Sequence, residues 1–150
     1  MSCIAYSAIV LDNRSKSKIL KLFKQIKPKD FEIIANHMTI NLGPIDERFE
    51  TYLGQTVRLK AESFSMNEKV MAIEVSGFYS YNEIPHITIA VNRKLDGKPK
   101  DSKELEEWTL INKVININNL YLTGKVTEVN YPPTLKRWDG LRVSTDVLPK

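Results

Sequence analysis

Short apolar runs broken by turn residues predict an α+β domain in which strands predominate and about two helices are added. Three observations carry this expectation. Residues 3–11 are almost wholly apolar, the pattern of a strand buried on both faces. A strong helical period occupies residues 14–26. Two further runs share one phrase, His37-Met38-Thr39-Ile40 and His86-Ile87-Thr88-Ile89, and these contain both histidines of the chain.

The elements follow in order. After the strand at 3–11, Asp12, Asn13 and Ser15 offer capping side chains to the helix at 14–26. Its apolar positions Ile19, Leu20, Leu22, Phe23 and Ile26 recur at helical spacing, and Lys27-Pro28-Lys29-Asp30 ends it. Residues 31–42 read as the first motif strand, closed by Gly43-Pro44. Residues 45–55 are ambiguous and fit a loop with a short helical turn. Alternating runs at 56–65 and 69–81, joined by a polar turn at 66–68, predict a hairpin. Pro85 leads into the second motif strand, 86–91. A loop at 96–99 precedes a short helix near 102–109, with Ser102 as its cap and Glu104, Glu106 and Glu107 in its first turns. A strand at 120–129 and an irregular tail with Tyr131-Pro132-Pro133 complete the reading.

At 150 residues and 17.2 kDa the chain fits one domain, residues 1–150, with a sizeable core. Lone Cys3 excludes an internal disulfide and points to a reducing, cytoplasmic setting. Its apolar surroundings make it a buried core residue by expectation, with no base nearby in sequence to activate it. The N-terminal run lacks a basic flank and is broken by Asp12 and Arg14, unlike an export signal. No stretch approaches the roughly 20 apolar residues of a membrane span. The formal charge of +4 leans towards phosphate-bearing partners, though a solvated basic surface accounts for it equally well.

Side chains alternate along a strand, so His37 and Thr39 share one face and His86 and Thr88 share another. Met38, Ile40 and Leu42 then face the core, as do Ile87, Ile89 and Val91. Two imidazoles can hold opposite protonation states near neutrality, one taking a proton while the other gives one. The threonine hydroxyls can hydrogen-bond a phosphate oxygen held between them. The set suits cleavage of a phosphodiester beside a ribose 2′-hydroxyl, with no cofactor. Metal-site patterns (His-Glu-x-x-His, a cysteine cluster, an acidic run) are missing from the sequence, as are nucleophile elbows and phosphate-cradling glycine loops.

Other candidates remain two-sided. Tyr6 either stacks a base from the cleft floor or is a core tyrosine. Glu128 either points inward with a carboxylate for a base amine or is solvated at a strand end. Arg93, Lys94, Lys98 and Lys100 attract phosphate or form a solvated loop, and for most of them the loop is preferred. Trp138, beside Arg137, lids the cleft or packs the tail.

Paired His-x-Thr strands in a small α+β domain resemble the 2H phosphoesterase superfamily. Around them, His-Met-Thr-Ile followed by glycine, Pro-His-Ile-Thr-Ile-Ala-Val and a Gly-Lys-Pro loop are similar to the phage anti-CBASS nucleases and related RNA-repair-like proteins. The resemblance covers most of the chain. It implies two pseudosymmetric lobes of antiparallel sheet, flanked by helices around a central cleft. It also implies metal-free hydrolysis of the 3′–5′ bonds of cyclic di- and trinucleotide immune signals by a monomer, in the host cytoplasm if the chain is viral. His37, Thr39, His86 and Thr88 would be catalytic, and Tyr6 and Glu128 would hold bases; the reading of the residues themselves adds Lys98 and Trp138 as substrate-binding candidates. A 2′,3′-cyclic phosphodiesterase or RNA-end-processing enzyme is the alternative within the superfamily. A nucleotide-binding sponge is the alternative outside catalysis.

Overall fold

The structure, a computed structural model, describes residues 3–131. Strand β1 (Ile4–Leu11) leads into α1 (Asn13–Phe23), whose N-terminus is capped by Asp12 accepting from the Ser15 amide at 2.8 Å. The strands β2 (Phe31–Ile33), β3 (His37–Leu42), β4 (Thr56–Met66), β5 (Val70–Ser76), β6 (His86–Asn92), β7 (Thr109–Leu110) and β8 (Tyr121–Asn130) follow. No helix is long and apolar enough to cross a membrane among the described residues.

Pairing is antiparallel throughout and closes on itself. β1 pairs β8, β8 pairs β4, β4 pairs β5, β5 pairs β6, β6 meets β3, and β3 returns to β1. The result is a closed six-stranded barrel, with β2 added beside β6 and β7 beside β4. This corrects the expected α+β class and its pair of sheet lobes flanked by helices: the described fold is mostly β. The alternation that marks a strand carries no information about its neighbours, so one ring and two lobes produce the same pattern. The expected helix at 102–109 is also absent: Pro99–Glu104 is a 3₁₀ segment, and Thr109–Leu110 pairs with β4. α1 is the single α-helix among the described residues.

Ile9 and Leu11 of β1, Met38 and Ile40 of β3, Leu59 and Ala61 of β4, Met71 and Ile73 of β5, Ile87 of β6 and Leu122 and Val126 of β8 fill the main core. Ile19 and Phe23 of α1 join it, and the Phe23 ring stacks on Phe64 with centroids 5.7 Å apart. Leu20, expected on the apolar stripe, is exposed. The stripe buries against β8, to which Lys18 donates at the Tyr121 carbonyl and Ser15 bonds at Thr123.

Two β-bulges place side chains that simple alternation misassigns. In the β1–β3 ladder Ala8 pairs Thr39 and Ser7 pairs Asn41, leaving Ile40 unpaired. In the β5–β6 ladder Ala72 pairs Thr88 and Met71 pairs Ala90, leaving Ile89 unpaired. Each bulge falls three residues after a motif histidine and reverses the parity beyond it. Leu42 therefore turns out to solvent at 79% exposure while Asn41 is buried. Val91 moves to a second apolar cluster with Val70, Ala72 and Leu105, on the face away from the main core. Cys3 is exposed, contrary to its expected burial, because it precedes the first residue of β1.

Candidate active site

The two motif strands lie side by side. Met38 of β3 pairs Ile87 of β6, and in an antiparallel register this sets His37 level with Thr88 and Thr39 level with His86. All four point away from the core, whose side of the seam is taken by Met38 and Ile87. Diagonal neighbours on adjacent strands lie about 7–8 Å apart, so His37 and His86 stand near each other on this face. Both histidines and both threonines line one cleft of about 1300 Å³. The cleft thus lies across the β3–β6 seam on the outer face of the barrel.

The bulges also hold the walls of this cleft. The freed Ile40 carbonyl accepts the Tyr81 amide at 2.8 Å, and the neighbouring Thr39 carbonyl accepts the Ser80 hydroxyl at 2.7 Å. The Ile89 carbonyl accepts the amides of Ile34 (2.7 Å) and Ala35 (3.1 Å), where the expected continuous strand 31–42 breaks into β2 and β3. Both loops bordering the seam are therefore tied to motif strands through backbone bonds.

His86 is half-buried, and its Nδ1 donates to the Ile84 carbonyl at 2.8 Å. That bond leaves Nε2 as the acceptor of a neutral ring. Burial pushes the imidazole below its ordinary value; the Ile84 carbonyl opposes the shift and the charge of Lys103 adds to it. His37 stacks on Tyr6 with centroids 4.9 Å apart and planes tilted by 31°. Burial raises the pKa of the Tyr6 phenol, which keeps it protonated near neutrality.

Thr88 is tied to the segment that follows β6. Its hydroxyl lies 2.8 Å from the buried Ser102 hydroxyl and donates more weakly to the Pro99 carbonyl at 3.3 Å. With Ser102 donating to Thr88, the Thr88 proton is held by that longer bond alone and can be redirected to a substrate oxygen. The same segment carries Lys98, Lys100 and Lys103 into the cleft lining. The Lys98 amide donates to the Asp101 carboxylate at 2.9 Å, and Leu105 packs into the second apolar cluster.

Of the residues singled out in the sequence, His37, Thr39, His86, Thr88, Tyr6 and Lys98 meet here. Arg93 and Lys100 join them, although Arg93 is ion-paired with Glu32; Lys94 instead pairs Asp30 at 3.5 Å. Glu128 does not line the cleft. It follows the inward parity of β8, and its carboxylate accepts the Ile45 amide at 2.9 Å, holding the turn after β3. Trp138 lies outside the described residues. Lys103, Asp46 and Tyr81 escaped the sequence reading, and Ser102 was read only as a helix cap. Lys103 and Ser102 sat in a segment read as a helix, and Tyr81 at the end of a run read as strand.

Compared with family models, curated proteins and solved structures, the chain matches none. Function therefore has to be argued from the site. Two imidazoles across a seam, each with a hydroxyl beside it and lysines along one wall, form a set able to move two protons about a bound phosphodiester.

Proposed function

We propose that the chain is a metal-independent phosphodiesterase of the 2H type that hydrolyses the 3′–5′ bonds of cyclic di- or trinucleotide signals, as an anti-CBASS nuclease does. The observation that carries this reading is the register Met38–Ile87, which brings both His-x-Thr pairs onto one outward face. Neutral His86, with Nε2 as acceptor, takes the proton from the attacking 2′-hydroxyl or water. The new bond forms at phosphorus and the bond from phosphorus to O5′ breaks. Protonated His37 delivers its proton to O5′, so each cleavage leaves His86 charged and His37 neutral. If the nucleophile is the 2′-hydroxyl, water then opens the 2′,3′-cyclic product with the roles reversed. This second step restores both rings. Thr39 and the redirected Thr88 hydroxyl donate to the phosphate oxygens, and Lys103 and Lys100 offset the charge that develops there.

The test is a product assay in excess EDTA with 3′,3′-cyclic GMP-AMP and, separately, an RNA ending in a 2′,3′-cyclic phosphate. Linear products from the cyclic dinucleotide are expected, with turnover lost in His37→Ala and in His86→Ala. Full activity in either variant overturns the assignment. Opening of the RNA end alone moves the protein to RNA-end processing. Tight binding without turnover of either leaves a nucleotide sponge.

A further inference from the structure

The cleft is chemically lopsided although its two motifs are alike. Along the β6 wall stand Lys98, Lys100, Lys103 and Arg93. The β3 wall holds no lysine or arginine; its lining is Tyr6, Leu42, Pro44, Asp46 and Tyr81. A phosphate would be drawn to the first wall, while on the second the Asp46 charge is offset by Arg48. Asp46 is itself fully engaged. It accepts from the Arg48 amide at 2.9 Å, from Arg48 Nε and Nη2 at 3.1 and 2.8 Å, and from the Tyr81 hydroxyl.

That engagement bears on Tyr81. The residue is 59% exposed, yet it is held at both ends: the hydroxyl by Asp46, the backbone amide by Ile40. Tyr79 meets it edge-on with centroids 5.5 Å apart, and the Arg48 guanidinium that orients Asp46 lies 5.2 Å from the Tyr79 ring. A chain of four side chains thus fixes one exposed aromatic face at the rim of the cleft. Leu42, turned outward by the Ile40 bulge, lines the same cleft. An aromatic face fixed before binding loses little entropy when a flat ligand lands on it. A neutral aromatic and aliphatic wall facing a cationic one fits a ligand with a flat base at one end and phosphate at the other.

We infer that Tyr81 and Leu42 form a stacking subsite for one nucleobase of the substrate, on the wall opposite the lysines. This rests on the phosphodiesterase reading and adds a specificity-determining residue to it. Each stacked base is worth roughly 5- to 150-fold in affinity, so Tyr81→Leu is expected to raise the KM for 3′,3′-cyclic GMP-AMP at least about 10-fold with kcat little changed. Tyr81→Phe keeps the ring and loses the Asp46 bond, so its KM is expected to lie between the two. A 3′,3′-cyclic dinucleotide carrying 2-aminopurine provides a second readout. Its fluorescence is expected to be quenched on binding to the unaltered protein, and less so on binding to Tyr81→Leu. Cleavage with unchanged KM and unchanged quenching in Tyr81→Leu would overturn the subsite and leave the phosphodiesterase standing. Neither cleavage nor binding of any nucleotide by the unaltered protein would remove both.

Discussion

Lys103 stands close enough to His86 for its charge to disfavour a second positive charge on the imidazole, in addition to the larger effect of burial. Both influences keep the ring neutral at pH values where an ordinary histidine, titrating near 6.5, is largely protonated. Under the proposed mechanism His86 is the base and must be neutral to act, so the acidic limb of the rate profile should lie below that ordinary value. In Lys103→Gln the nearby charge is gone, protonation of His86 becomes easier, and the limb should move up towards neutrality. Rates measured between pH 4 and 8 check this; an unmoved limb would assign the acidic titration to another group. At this scale the sequence was informative about identity and silent about environment. The repeated His-x-Thr phrase located all four central side chains. Nothing in Lys103 itself, one lysine among many, marks it as the neighbour of His86, because that proximity depends on how residues 97–104 fold back over β6.

Among the elements, β1, α1, the β4–β5 hairpin, β6 and β8 were legible because each carries its own period over many residues. The failures have local causes. The bulges at Ile40 and Ile89 reverse parity in mid-strand with no glycine or proline to announce them, so Leu42 and Val91 were assigned to the wrong face. β5 stops at Ser76, short of the expected 81, where Gly77 takes φ +122° and a Cβ would meet the Arg58 carbonyl at 2.6 Å. The segment near 102–109 read as a helix is instead the end of a 3₁₀ turn at Glu104 followed by irregular chain, pinned by the buried hydroxyl pair Thr88–Ser102. That pin makes the lysine-bearing segment testable as a unit. Ser102→Ala removes the 2.8 Å bond that fixes the Thr88 hydroxyl, leaving only the 3.3 Å bond to the Pro99 carbonyl to orient it. A single positioned donor is worth about 10²–10³ in kcat when lost outright; weakened aim should cost less, about 10-fold in kcat. Replacing one non-bridging phosphate oxygen by sulfur separates positioning from simple destabilisation. The rate penalty of the sulfur at the oxygen facing Thr88 should shrink in Ser102→Ala, whereas a merely loosened fold would scale both diastereomers equally.

The whole molecule has its thinnest join at the seam where the two motif histidines lie. β1 is laddered along its length to β8 on one side and β3 on the other, and β4 similarly joins β8 and β5. β3 and β6 share the single ladder pair Met38–Ile87, supplemented by the bonds from Ile34 and Ala35 to the Ile89 carbonyl. A ring must open, if it opens locally, where the fewest backbone bonds have to break. Hydrogen exchange should therefore find the β1 amides among the slowest and the Ile34 and Ala35 amides, despite their short bonds, among the faster strand-edge positions. A ligand bridging His37 and His86 closes this seam from outside. It binds the closed barrel and not the opened one, so at 100 times its Kd it should slow seam exchange by up to about 100-fold. A phosphorothioate analogue of 3′,3′-cyclic GMP-AMP, resistant to turnover, serves as the probe. Selective protection of Ile34 and Ala35, with β4 and β8 unchanged, is expected. Protection confined to β4 and β8 would put the ligand on the far side of the barrel and separate the histidine pair from binding altogether.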